Sequence, residues 1–155
     1  MSFRITGLSP QPFRHLFGLS DAALAAHGAR RIRVESTPGT PDRIGLRDLE
    51  PGESALLLNY EHQPADTPFR AAHAIFVHEG TLAAYDRIDE VPDVLRRRML
   101  SLRAFDAGNE MIDADLVDGR ELEPALDRFF ADPDVAYLHA HSARPGCYVA
   151  RIDRA

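Results

Sequence analysis

The last third of the chain alternates apolar and polar residues around two turn signals, and that period of two demands antiparallel strands. Leu100, Leu102 and Ala104 alternate with Ser101, Arg103 and Phe105. After the turn Asp106-Ala107-Gly108-Asn109, Ile112, Ala114 and Leu116 alternate with Met111, Asp113 and Asp115. Successive strand side chains point to opposite faces, so the pattern predicts a β-hairpin. Residues 135–141 and 147–153 predict a second hairpin about Ala143-Arg144-Pro145-Gly146. Between the two, residues 121–131 place Leu122, Ala125, Leu126 and Phe129 on one helical face, and Asp132-Pro133 stops the helix.

The earlier part of the chain is punctuated more densely. Residues 3–8 alternate as a short strand. Ser9-Pro10 opens a helical stretch with Phe13, Leu16 and Phe17 on one face. Ser20 is placed to cap an alanine-rich helix over 21–26, with Gly28 near its stop. Residues 31–35 alternate again and are expected to pair with 54–60, where Leu56-Leu57-Leu58 suits a strand covered on both faces. Residues 73–78 predict a further strand, and Pro92 the first turn of a helix. Residues 37–52, with Pro38-Gly39 and Pro51-Gly52, predict a long loop, either functional or poorly ordered. Residues 61–70 read as irregular because of Pro64 and Pro68. The sum is an α+β fold, a mainly antiparallel sheet built from hairpins with short helices on one side. At 155 residues the expectation is a single domain, 1–155.

Composition removes whole mechanisms. All 18 basic residues are arginine, and there is no lysine. A lysine Schiff base, a P-loop lysine and a kinase strand lysine are therefore excluded. One cysteine, Cys147, excludes an internal disulfide, a C-x-x-C pair and a multi-cysteine zinc site. With 24 acids the net charge is −6, which argues against a broad nucleic-acid surface. The clusters at Arg30, Arg31 and Arg33 and at Arg96, Arg97 and Arg98 read as solvated faces. No run approaches the roughly 20 apolar residues of a membrane span. The first residues also lack the apolar core of a signal peptide. A soluble cytoplasmic protein, binding neither membrane nor nucleic acid, is the expectation.

Four stretches carry a resemblance. They are Leu56-Leu57-Leu58-Asn59-Tyr60-Glu61-His62, His73-Ala74-Ile75-Phe76-Val77, Leu100-Ser101-Leu102-Arg103-Ala104-Phe105-Asp106 and Ala143-Arg144-Pro145-Gly146-Cys147-Tyr148. The last is the most specific. Together they resemble an uncharacterised bacterial family, the domain of unknown function 1203 family, over nearly the whole chain. The resemblance implies a single-domain bacterial protein and no known activity. It also implies that relatives often carry a cysteine in the loop around Asp42. Here that loop reads Asp42-Arg43, so a two-cysteine site does not carry over, and neither does any catalytic residue.

Reactive side chains concentrate in the C-terminal hairpin. Tyr137, His139 and His141 form one stripe. Cys147, Val149, Arg151 and Asp153 form another. A five-residue loop over 142–146 would set His141 opposite Cys147, His139 opposite Val149 and Tyr137 opposite Arg151, leaving Leu138 and Ala140 on the core face with Ala150 and Ile152. An even-length turn would break that apolar face, so the odd register is preferred.

Three chemistries follow. The His139-x-His141 pair projects two imidazoles in one direction and could hold a divalent metal, with His73, His78, Asp113 or Asp115 as a third ligand. Cys147 and His141 could form a nucleophile pair oriented by Asp153, making His139, His141 and Cys147 the catalytic candidates. Arg103, Arg144 and Arg151, with Tyr137 beside them, could grip a small anionic ligand. Residues 59–62, including His62, offer a secondary place for ligand contacts. Two readings stay open: a small-molecule or metal-binding domain, enzymatic or not, and a non-catalytic interaction or structural protein acting as a homodimer.

Overall fold

The computed structural model describes residues 1–155 as two sheets carrying short helices. In chain order the elements are β1 (Phe3–Thr6), α1 (Asp21–Ala26), β2 (Arg30–Arg33), β3 (Pro41–Asp42), β4 (Arg47–Asp48), β5 (Ser54–Gln63), β6 (Ala71–His78), β7 (Asp86–Ile88), α2 (Asp93–Arg96), β8 (Met99–Phe105), β9 (Met111–Asp118), α3 (Leu122–Phe130), β10 (Tyr137–Ser142) and β11 (Tyr148–Arg154). One sheet has the order β7-β1-β11-β10-β8-β9, and the other β2-β5-β6-β3-β4. All pairings are antiparallel except the single bridge between β3 and β6. The fold is α+β, as the hairpin pattern predicts.

The larger core lies on one face of the six-stranded sheet. Ile5, Leu100, Leu102, Leu138 and Ile152 meet Leu122, Leu126, Phe129 and Phe130 from α3, all buried. Each such side chain removed from water is worth roughly 1.5–3 kcal/mol. Burying this face with α3 leaves the opposite face, with Tyr137, His139 and His141, for the site. A second core joins Leu56, Ile75 and Val77 of β5 and β6 to Phe13, Leu16 and Leu24 from the N-terminal region. The α1 helix starts where Ser20 accepts from the Ala23 amide at 3.2 Å.

The C-terminal hairpin departs from the expected register for an identifiable reason. His139 pairs with Arg151, Tyr137 with Asp153 and Ala140 with Ala150, whereas His141 pairs with Tyr148. The turn between His141 and Tyr148 is even, and a bulge adds one residue on β11 beyond it. The polar stripes therefore do face the same way along most of the hairpin, displaced by two residues from the expected pairing. The bulge turns Tyr148 onto the histidine face, the kind of re-aiming such irregularities produce.

Residues 37–52 are not a loose loop. Ile44 packs in the second core and Leu46 in the first, while Leu49 joins a third small cluster with Val34 and Ala55. Leu46 sits at φ 51° to make this crossing, a left-handed conformation that a leucine takes only when its surroundings hold it there. What holds it is Asp42. Its buried carboxylate accepts from the amides of Ile44 (3.0 Å), Gly45 (2.7 Å) and His78 (2.9 Å), tying the corner to β6. Gly7 lies against the backbone of Arg43 and Ile44, where a Cβ would collide with the Ile44 carbonyl.

At the free edge of β9, Asp113 and Asp115 fold back onto the amides of Ala114 and Leu116, both at 2.8 Å. This removes donors that another strand would otherwise pair with.

Asp42→Ala strands three backbone N–H groups at a corner that belongs to both cores. We expect a loss of about 3–5 kcal/mol, read as a lowered urea midpoint with an unchanged slope.

Candidate functional site

Four histidines from three strands meet where the two sheets face each other. His62 is on β5, His73 on β6, and His139 and His141 on β10. The His62 ring lies between two others. It stacks on His73 (centroids 4.8 Å, 16°) and on Tyr148 (4.8 Å, 9°). His141 meets His62 and His73 edge-on, at 5.0 and 5.3 Å. His139 lies further back, 5.8 Å from His62 and 6.4 Å from His141, against Phe105 and Tyr137.

The nitrogens divide into partnered and bare ones. His62 Nε2 and His73 Nδ1 are 2.6 Å apart, so one donates and the other accepts. His141 Nδ1 is 2.9 Å from the Gly146 carbonyl oxygen. A carbonyl only accepts, so the proton is on Nδ1 and His141 Nε2 presents a lone pair. That Nε2 is buried without a partner, as are His62 Nδ1 and His139 Nδ1. Leaving such groups unpaired inside a protein costs about 1–3 kcal/mol each. The ligand nitrogens of His62, His73 and His141 lie within 4.8 Å of one another.

Electrostatics keeps these rings neutral. Burial, and behind it the charge of His73 and Arg103, pushes His62 down to about 4. Burial likewise pushes His139 and His141 to about 3, and it lowers His73 together with Arg103. Arg103 stands opposite His139 on β8, half-buried, with only the Ser101 hydroxyl at 3.4 Å for its Nε and no acid partner.

The other residues singled out from the sequence are placed as follows. His78 lies outside the cluster, with Nδ1 at 2.6 Å from the Thr81 hydroxyl and Nε2 3.5 Å from Glu53. Asp115 pairs with Arg128 at the exposed β9 edge. Arg151 pairs with Asp153 at 2.8 Å and lies 4.0 Å over the Tyr137 ring. Tyr137 donates to Asn109 Oδ1 at 2.7 Å and accepts from Gln63 at 2.8 Å. Arg144 is exposed on the turn.

The Cys147 sulfur hydrogen-bonds to no imidazole. Its neighbour is Arg43, whose Nη2 donates to it at 3.0 Å. Arg43 also donates to the carbonyls of Tyr148 (2.8 Å) and Pro41 (2.7 Å), and it is the one fully buried arginine.

The sequence reading gives His62 only as a secondary place for ligand contacts, and it misses Arg43. His62 was placed on an irregular segment, but β5 runs on to Gln63 through a bulge after Tyr60. The signal present was its place just beyond the apolar run Leu56-Leu57-Leu58. Arg43 had no signal beyond its place beside Asp42, because two of its three partners, Cys147 and Tyr148, are about 100 residues away.

The neutral imidazoles make stability depend on acidity. In the unfolded chain they bind protons as pH falls through 6.5; in the folded chain they resist until about 3–4. Stability present above pH 6.5 is therefore lost as pH falls. By about pH 5 the two buried rings His139 and His141 each account for about 2 kcal/mol. Glu53 and Glu79, held near 2 by Arg47 and Arg31, lose their contribution as pH falls from about 4.5 toward 2, below the histidine interval. Urea midpoints compared at about pH 7.5 and pH 5 read the histidines alone, and a flat profile would contradict their burial as neutral rings.

No curated protein and no solved structure matches the chain. A family model described as a protein of unknown function, DUF1203, matches residues 39–154. That span holds all four clustered histidines, Arg43 and Cys147. The chain belongs to the DUF1203 family.

Proposed function

We propose that the chain is a metal-binding protein that holds one divalent transition-metal ion on His62, His73 and His141. The observation that carries this is the bare, buried Nε2 of His141, fixed as a lone pair by the Gly146 carbonyl behind it. A backbone carbonyl on the far nitrogen is the usual outer partner of a metal-ligating histidine. Three neutral imidazoles suit zinc and its neighbours, and a His₃ set leaves a fourth position open.

The rings adjust on binding. At bonds of about 2.0–2.1 Å, tetrahedral nitrogens stand roughly 3.4 Å apart. His62 and His73 part from their mutual hydrogen bond, and His141 closes toward them. An ion held so polarises a bound oxygen or lowers the pKa of bound water. The depressed histidine pKa values help, because the ligands need no deprotonation at neutral pH.

Purified without a metal-affinity tag and stripped by chelator, the protein is expected to take up about one equivalent of Co²⁺ with visible d–d absorption of a tetrahedral site. At about 100 times its dissociation constant, Zn²⁺ raises stability by about 2.7 kcal/mol. His141→Ala abolishes both effects, and His78→Gln leaves both intact. Retention of both in His141→Ala, or no uptake by the native chain, removes the metal reading.

A further inference from the structure

Beside the histidine cluster lies a cavity of about 420 Å³ in which Arg43, Arg98, His73, Ser142 and Cys147 supply the polar lining. No acid lines it. Arg98 already has its counter-charge, because both of its Nη atoms meet Asp48, at 3.0 and 2.6 Å. Arg43 has none. Its hydrogen bonds run to two carbonyls and a sulfur, and the neighbouring Asp42 carboxylate is committed to three amides. A guanidinium carries five N–H groups, so each Nη of Arg43 retains one for another acceptor. Burial works against the charged form of Arg43, yet arginine does not give up its proton in a protein. A charge taken out of water without a counter-ion costs several kcal/mol unless something else meets it.

The cavity walls describe what meets it. Leu57 and Phe76 make one side apolar. The exposed Arg144 lines an adjoining hollow that shares Arg98 and Ser142, so the approach is positively charged. A planar fork favours a flat, two-oxygen acceptor.

We propose that this cavity binds a small organic acid, its oxyanion on Arg43 and its apolar body against Leu57 and Phe76. The site stands on Arg43 and needs no metal, although His73 borders both places.

Cys147 offers a reporter inside the cavity. In chelator-treated protein, its alkylation by iodoacetate, an anion, is compared with that by neutral iodoacetamide. The same ratio for glutathione serves as the reference. An anion held on Arg43 raises the protein's ratio at least about tenfold over glutathione's, with saturation in iodoacetate. Benzoate or inorganic phosphate then slows the labelling, and whichever protects better identifies the oxyanion preferred. A ratio equal to glutathione's, unaffected by either competitor, overturns the proposal.

Arg43→Gln, checked for folding by circular dichroism, is expected to return the ratio to the reference. If that variant does not fold, the native ratio and its competition decide. If neither reagent reaches the sulfur, calorimetric titration with benzoate and phosphate decides, and no saturable binding of either overturns the proposal. Because metal is absent throughout, failure here leaves the metal reading standing, and the reverse also holds.

Discussion

A single corner, Asp42-Arg43, makes one molecule of two sheets. The Asp42 carboxylate gathers amides from its own turn and from β6, and Arg43 reaches past it to β11. Ile44 and Leu46, the next apolar residues, enter different cores. Buried hydrogen bonds to charged groups are worth about 1.5–3 kcal/mol each and are costly to break singly, so the corner has one arrangement. The histidine cluster depends on it, since the Arg43 bond to the Tyr148 carbonyl fixes the strand that presents the stacking ring.

The elements that declared themselves in the sequence are those whose partners are near. The helix α3 and the hairpin β8–β9 follow from period alone, and α1 from its Ser20 cap. The segment 37–52 did not, because its order comes from side chains bonding to backbone and from contacts with distant strands. Turn dipeptides mark where the chain bends and say nothing about what it bends onto. The C-terminal hairpin was intermediate. The demand for an unbroken apolar face on Leu138, Ala140, Ala150 and Ile152 gave the correct parity, but a turn one residue longer than expected and a one-residue bulge, neither of which has a periodic signature, together moved the pairing by two residues.

The site was legible in half. His141 and His139 announced themselves as a stripe, and the opposite sheet supplied what one strand could not. His73 was one of several alternatives, and only the packing of β6 against β10 selects it over His78. His62 required β5 to continue past Tyr60, through a bulge, up to Gln63 directly before Pro64. Sites assembled between sheets hide in this way, since no spacing in the chain encodes a contact between residues about 80 apart. What the sequence does encode is a short choice of ligands, because with one cysteine only imidazoles and carboxylates are left to hold a metal.

The missing lysine has a physical counterpart at position 43. Three acceptors from two segments surround this side chain, and they lie in the directions of a fork. An ammonium at the same depth would find the carbonyls, but burial would drive off its proton, as it readily does for lysine. The neutral amine would hold the corner weakly and attract no anion. Guanidinium keeps its charge at any depth, so only arginine combines the two duties found here. It pins β11 beneath the histidine cluster and leaves a positive charge facing a cavity that contains no acid.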